Sequence, residues 1–147
     1  MPCALGRAGI VANKREGDHA TPRGVFRLET LWVRPDRVEP PDTVLATRPI
    51  GPADGWSDDP SDPRYNCWVR RPHRFRCEAL RRADPLYDLV VVFDANRHPI
   101  IPGNGSALFM HVWRKPRHPT EGCVAFARKD LIWLLERWTD RSRLVVR

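Results

Sequence analysis

Lysine, paired cysteines and long apolar runs are the three things this sequence has little of. Lysine occurs only at Lys14, Lys115 and Lys129, although the formal net charge is +7. Arginine therefore carries the positive charge. No five basic residues stand in a row, which excludes a polybasic tail of the kind that grips nucleic acid. An RNA-recognition aromatic motif, zinc-finger spacing and a glycine-rich phosphate loop are all absent, so nucleic acid is not an expected partner. The four cysteines, Cys3, Cys67, Cys77 and Cys123, form no CxxC pair, which argues against a zinc ribbon, and no metal or other cofactor is expected. No stretch approaches the roughly 18 apolar residues of a transmembrane helix. The opening segment, Met1 to Arg7, lacks the apolar core of a signal peptide. No internal repeat or low-complexity linker is present.

What is there reads as one domain over residues 1–147. A chain of this size buries about two-thirds of the surface its unfolded form exposes, so it needs no metal or disulfide to fold. Cys67 and Cys77 could pair across a loop or be plain thiols; the size of the chain favours free thiols. The 15 prolines favour strands, turns and ordered loops over a helical bundle. The arginine-rich surface suits an anionic partner or a substrate with free carboxylates, or is simply a solvated face.

Hydrophobic periodicity places the elements. The opening residues read as strand, loop, strand, with turn signals at Gly17-Asp18 and Thr21-Pro22-Arg23-Gly24. Phe26, Leu28, Thr30 and Trp32 alternate with Val25, Arg27, Glu29 and Leu31, a half-buried strand. Residues 34–66, rich in Pro, Asp and Gly, read as a long loop. Leu89 to Phe93 is a continuous apolar run that suits a central strand, followed by a turn at Asp94 to Arg97. Ser106 to Trp113 reads as a strand with Ala107, Phe109, His111 and Trp113 on one face. Cys123 to Phe126 reads as another strand. Leu131, Leu134, Leu135 and Trp138 recur at helical spacing as a core stripe, and Leu144 to Val146 closes the chain as a strand. The expected fold is mainly β, a mixed sandwich or barrel-like arrangement with one clear C-terminal helix.

The chemistry concentrates between Ser106 and Phe126. His111 lies on one strand and Gly122-Cys123 opens the next, twelve residues on. A hairpin-like return would bring the side chains together. Neutral imidazole can take the thiol proton, and the thiolate can attack an amide or ester carbonyl. The N–H groups of Gly122 and Cys123 are candidates to hold the oxyanion. Spacing alone also fits two unrelated side chains.

The segment Gly105 to His111, followed by Pro119-Thr120-Glu121-Gly122-Cys123-Val124-Ala125, resembles the active-site signature of the L,D-transpeptidase (YkuD-like) catalytic domain. Upstream, the segment Lys14 to Phe26, which holds Thr21-Pro22-Arg23-Gly24-Val25-Phe26, is similar to that family's Thr-Pro-x-Gly-x-Phe turn after the first strands. Asp54 to Asn66 resembles the central loop of its short members. These matches come in family order. The resemblance implies that Cys123 is a nucleophile, His111 its base and Gly122 part of the oxyanion hole. It implies peptidoglycan stem peptides as partners, a thioester intermediate, acylation by carbapenems, and a place in the periplasm or cell envelope; without an export signal, the cytoplasm is the alternative. Three departures stand out: Glu121 where the family has His before Gly-Cys, Phe126 where it often has Arg, and a short span between His111 and Cys123.

Phe109 and Trp113 share the His111 face and are expected to wall the site or to pack in the core. Arg114, Arg117 and Arg128 are candidates for substrate carboxylates, which arginine grips in bidentate fashion. Glu121 can orient the imidazole, point outward, or oppose the thiolate. His118 belongs to the cleft mouth or to a solvated loop. Thr21, Pro22 and Gly24 are expected to fix a turn, and His19, His73 and His98 to have surface or structural roles. Two other functions compete: a thiol amidase or carboxypeptidase on the same peptides, and a non-catalytic basic module that binds wall polymer or nucleic acid.

Overall fold

The computed structural model describes every residue from Met1 to Arg147. Its first nine strands are β1 (Cys3–Ala4), β2 (Ile10–Val11), β3 (Thr21–Pro22), β4 (Gly24–Phe26), β5 (Leu28–Val33), β6 (Ala46–Pro49), β7 (Asp54–Ser57), β8 (Trp68–Arg70) and β9 (Cys77–Ala79). A 3-10 turn at Pro85–Tyr87 leads into β10 (Leu89–Phe93), β11 (Phe109–Val112) and β12 (Val124–Phe126). Helix α1 (Arg128–Glu136) and β13 (Leu144–Val146) complete the chain. The fold is mainly β with a single α-helix, as expected.

Six strands make the main sheet in the order β1-β12-β11-β10-β5-β6. The sheet is open at β1 and β6, so no barrel closes. β10 is buried at all five positions, because both faces of the sheet are covered; this is why its sequence shows no alternation. Leu89, Val91 and Phe93 face the helix side, where Leu131 and Leu135 of α1 lie fully buried against Met110 and Val124. Each such leucine contributes about 2 kcal/mol of burial. Val90 and Val92 face the opposite side, with Trp32, Phe109, Trp56 and Leu80.

That second side is covered by chain that reads as loop in the sequence. Residues 34–66 contain β6 and β7, and β7 joins β8 and β9 in a small antiparallel sheet, order β8-β7-β9. All four residues of β6 are exposed, so it has no apolar alternation; its backbone pairing to β5, from Thr30↔Ala46 to Val33↔Pro49, makes it a strand. The small sheet lays Trp56 and Leu80 on the main sheet and is pinned by Asn66. Asn66 Oδ1 accepts from Trp56 Nε1 at 2.9 Å and from the Ala107 N–H at 3.2 Å, while its Nδ2 donates to Asn96 O at 2.8 Å. Buried Asp62 bonds Ser57 Oγ and His73 Nε2, both at 2.6 Å. His98 Nε2 likewise lies 2.6 Å from Glu29 Oε1. All four cysteines are free thiols. Cys67 and Cys77 flank Ser57 from opposite sides, which keeps them apart.

Three expectations change. Thr21–Pro22 is a buried strand paired to β2 rather than a turn, with the Gly6 N–H donating to Thr21 Oγ1 at 2.8 Å. The strand expected over 106–113 begins only at Phe109, since Ala107 takes a left-handed φ of 50° that the Asn66 hydrogen bond holds. β11 and β12 run parallel rather than as a hairpin, registered Met110↔Val124, His111↔Ala125 and Val112↔Phe126. No helix is long and apolar enough to cross a membrane.

Candidate active site

The parallel register sets the site. Phe109 stands beside Cys123 and His111 beside Ala125, so Cys123 and His111 are diagonal neighbours on the face opposite α1. Both line one cleft of about 520 Å³. The Cys123 thiol donates to Ala107 O at 3.2 Å, the carbonyl that the left-handed turn aims at it, and Sγ accepts from the Phe109 N–H at 3.4 Å. His111 lies 2.8 Å through Nδ1 from the carbonyl of Val112. A carbonyl only accepts, so Nδ1 carries the proton and Nε2 keeps its lone pair.

Gly122 is required by its backbone. Its φ is 141°, and a Cβ there would come within 2.9 Å of Ala20 O. Its N–H is already used, donating to Thr120 Oγ1 at 3.1 Å, while that hydroxyl donates to Cys123 O at 2.6 Å. Thr120 is in turn tied to the first strand region through Thr120 N to Leu5 O and Arg7 N to Thr120 O, each 2.9 Å. The Cys123 N–H has no partner within the chain. Of the two expected oxyanion donors, Cys123 is the one left free, and Gly122 shapes the turn.

Burial acts on both Cys123 and His111 against charge. It pushes the Cys123 thiol up to about 12, with the Glu78 carboxylate adding to the effect and the Phe109 N–H opposing it. It pushes His111 down to about 4, with the Arg82 charge adding to it and the Val112 carbonyl opposing. At neutral pH both the thiol and the imidazole are therefore uncharged.

The model of the YkuD-type L,D-transpeptidase catalytic domain matches residues 1–146 of the chain. The protein belongs to that family. No curated protein and no solved structure matches it. The family assignment covers the whole of the site just described, from the Thr21 strand through Cys123.

In this L,D-transpeptidase domain the residues expected around Cys123 separate into two groups. Trp113, Arg114, His118 and Glu121 line the cleft. Phe109 does not: it is fully buried, edge-on to Trp56 at 5.1 Å and to Tyr87 at 6.0 Å, and it offers the site its backbone N–H. Arg117 is exposed on the loop after β11, outside the cleft, and Arg128 at the start of α1 is paired with Asp88. Glu121 points outward, 68% exposed, and pairs with His19 and with Arg7. That brings His19 to the cleft rim, beyond the surface role expected of it.

The sequence reading did not single out Lys14, Glu16, Glu78, Arg82 or Tyr87, all of which line the cleft. Tyr87 lies edge-on to His111, ring centres 5.4 Å apart, and its hydroxyl donates to Glu78 Oε1 at 2.6 Å. Arg82 sits over the Tyr87 ring at 5.1 Å but is held bidentately by Asp84, at 2.8 and 2.7 Å. Glu16 accepts from Ser106 Oγ at 2.7 Å and from the Tyr65 hydroxyl. Lys14 and Glu16 lie in the upstream segment that resembles the family, and Tyr87 in the lead-in to the central strand, but no pattern marked Glu78 or Arg82.

Proposed function

We propose that the protein is a cysteine-dependent L,D-transpeptidase acting on peptidoglycan stem peptides through a thioester. We take residues 1–147 as one catalytic domain working in the cell envelope. The observation that supports this best is that the Cys123 thiol and a His111 whose Nε2 is free to accept a proton line the same cleft from adjacent strands.

In this reading Cys123 Sγ attacks the carbonyl carbon of the donor peptide bond as His111 Nε2 takes the thiol proton. The carbonyl oxygen becomes an oxyanion against the free Cys123 N–H. The C–N bond then breaks, and the imidazolium returns the proton to the departing amine of the terminal D-residue. An acceptor amine attacks the thioester, its proton passes to Nε2, and collapse regenerates the Cys123 thiol. Nδ1–H, held by the Val112 carbonyl, keeps the ring oriented throughout. The short connection between β11 and β12 leaves Trp113, Arg114 and His118 at the mouth, where an incoming acceptor would pass.

The test is exchange. Incubated with a stem tetrapeptide and a free D-amino acid, the protein is expected to release the terminal residue and install the added one, and Cys123→Ala is expected to do neither while melting at the wild-type temperature. Trimmed peptide without exchange would make the protein a carboxypeptidase; an inert wild type with an unreactive Cys123 would make it a binding module.

A further inference from the structure

The alternation in Arg23-Gly24-Val25-Phe26-Arg27 has an outer side that the cleft does not use. β4 and β13 form a ribbon of their own, with Val25 paired to Val145, Phe26 to Leu144 and Gly24 to Val146. Phe26 and Leu144 turn inward, onto the same core cluster that buries Leu131 and Leu135 of α1. Side chains alternate along a strand, so Val25 and Val145 point the other way, 65% and 53% exposed. Trp133 lies two residues from both Leu131 and Leu135, about half a turn round the helix, and is 51% exposed. Ribbon and helix cover the same face of the main sheet, so these three side chains point away from it together. Arginines bracket both strands: Arg23 and Arg27 flank β4, and Arg143 and Arg147 flank β13. Continued by one residue at each end, the register sets Arg147 beside Arg23 and Arg143 beside Arg27. Like charges opposite each other across a ribbon are destabilising. No carboxylate relieves them. Asp94 accepts from the backbone N–H of Arg27, Arg143 donates to the carbonyls of Asp140 and Ser142, and none of the four arginines makes an ion pair. From Lys129 to Arg147 five basic residues stand against three acidic ones, of which Glu136 is paired with Arg137 at 3.5 Å, so the face is net positive. Uncompensated arginines around exposed valines are complementary to a partner that is both anionic and apolar.

We propose that the outer face of β4, β13 and α1 docks the domain on the surface of a bilayer containing anionic lipids. Lipid phosphates meet Arg23, Arg27 and Arg147, and Val25, Val145 and Trp133 enter the headgroup region. A soluble polyanion would satisfy the arginines and leave the apolar side chains in water; the bilayer interface takes both. Tryptophan in particular favours that depth. Three apolar side chains bury too little to hold the domain alone, so the attachment is peripheral and weakens with salt. The cleft lies on the opposite face of the main sheet, where Cys123 packs with Phe109 and Trp56. A docked domain therefore keeps Cys123 and His111 facing away from the lipid, open to a substrate arriving from the aqueous side. The proposal concerns where the domain sits and does not depend on the reaction proposed above.

Sedimentation with large unilamellar vesicles tests it. At about 0.1 M salt the wild-type protein is expected to pellet with vesicles of roughly one-third phosphatidylglycerol in phosphatidylcholine about tenfold more strongly than with phosphatidylcholine alone, and to be released at about 0.5 M salt. Arg23→Gln with Arg27→Gln is expected to lower that partition about 25-fold, roughly fivefold for each arginine, and to melt no lower than wild type because it relieves repulsion. Val25→Thr with Trp133→Gln keeps the charge and is expected to lower the partition about fivefold or more. Arg70→Gln with Arg74→Gln removes the same charge from the exposed connection after β8 and is expected to change it by less than about threefold. Equal pelleting of wild type with the two kinds of vesicle would overturn the proposal, and that comparison needs no variant to fold. Equal losses from the two arginine pairs would show net charge at work rather than this face, and would overturn it too. Vesicle binding that ignores Val25→Thr with Trp133→Gln, together with equally salt-sensitive binding of long-chain polyphosphate, would make the partner a soluble polyanion and exclude the bilayer. Stem-peptide exchange without vesicles is expected to be the same in wild type and in Arg23→Gln with Arg27→Gln, so docking and acyl transfer stand or fall separately.

Discussion

Lowering the pH should expose His111 as a stability switch. The imidazole is 5% exposed, and its burial holds it down to about 4, against an ordinary value of 6.5. In the unfolded chain it binds a proton below 6.5; in the fold it does not until about 4. The unfolded state therefore carries the extra proton through that window, and stability falls as the pH falls through it. The gap, 6.5 − 4, is 2.5 units, or about 3 kcal/mol when fully expressed. Between pH 7 and pH 5 about 2 kcal/mol of that is lost.

Other groups titrate over the same range, so the measurement is a difference. His111→Asn keeps a donor for the Val112 carbonyl and does not titrate. Urea unfolding at pH 7 and pH 5 is expected to show wild type losing about 2 kcal/mol more than the variant. Parallel losses would refute the burial argument, and with it the claim that the resting base is neutral. A larger loss in the variant would mean that protonated His111 finds a partner in the fold, with Asp84 the nearest candidate by charge.

Gly122→Ala adds a Cβ within 2.9 Å of Ala20 O at a φ of 141°; it is expected to destabilise by about 2–4 kcal/mol, to lower the melting temperature by roughly 5–15 °C and to abolish exchange, and a melt within about 2 °C of wild type would refute the strain. Glu121→Gln removes a carboxylate that faces His19 and Arg7 rather than the thiol, so Cys123 alkylation at neutral pH should change by less than about tenfold; a hundredfold rise would show that Glu121 reaches the thiolate.

The parts of the fold written in local pattern were legible. The apolar run Leu89 to Phe93 matches β10, Leu144 to Val146 matches β13, and the Leu131/Leu135 stripe is the buried face of α1. What failed was non-local. β6 pairs through its backbone and carries no apolar signal, and β7 is too short to show a period among Pro, Asp and Gly. The left-handed Ala107, which turns its carbonyl toward Cys123, depends on Asn66, 41 residues earlier. Strand direction was also invisible: a spacing of twelve positions from His111 to Cys123 suits a hairpin or a parallel return equally well. The nucleophile and base candidates stood out because the motif around them is contiguous. Glu78 and Tyr87 did not, because they arrive from the excursion that covers the second face. The sequence draws attention to Glu121 as the carboxylate beside the nucleophile, yet the one that acts on the thiol comes from β9.

The neutral resting pair bears on how the cysteine reacts. Moving a proton from Cys123 to His111 spans the gap between about 12 and about 4, eight units, or roughly 11 kcal/mol for the two groups taken separately. A turnover of around 10 per second corresponds to a barrier of about 16 kcal/mol, so this proton transfer fits inside an ordinary enzymatic barrier but leaves almost no standing thiolate. Oxidation and adventitious alkylation both proceed through the thiolate. A cysteine kept protonated in this way is therefore protected by the same burial that sets its barrier.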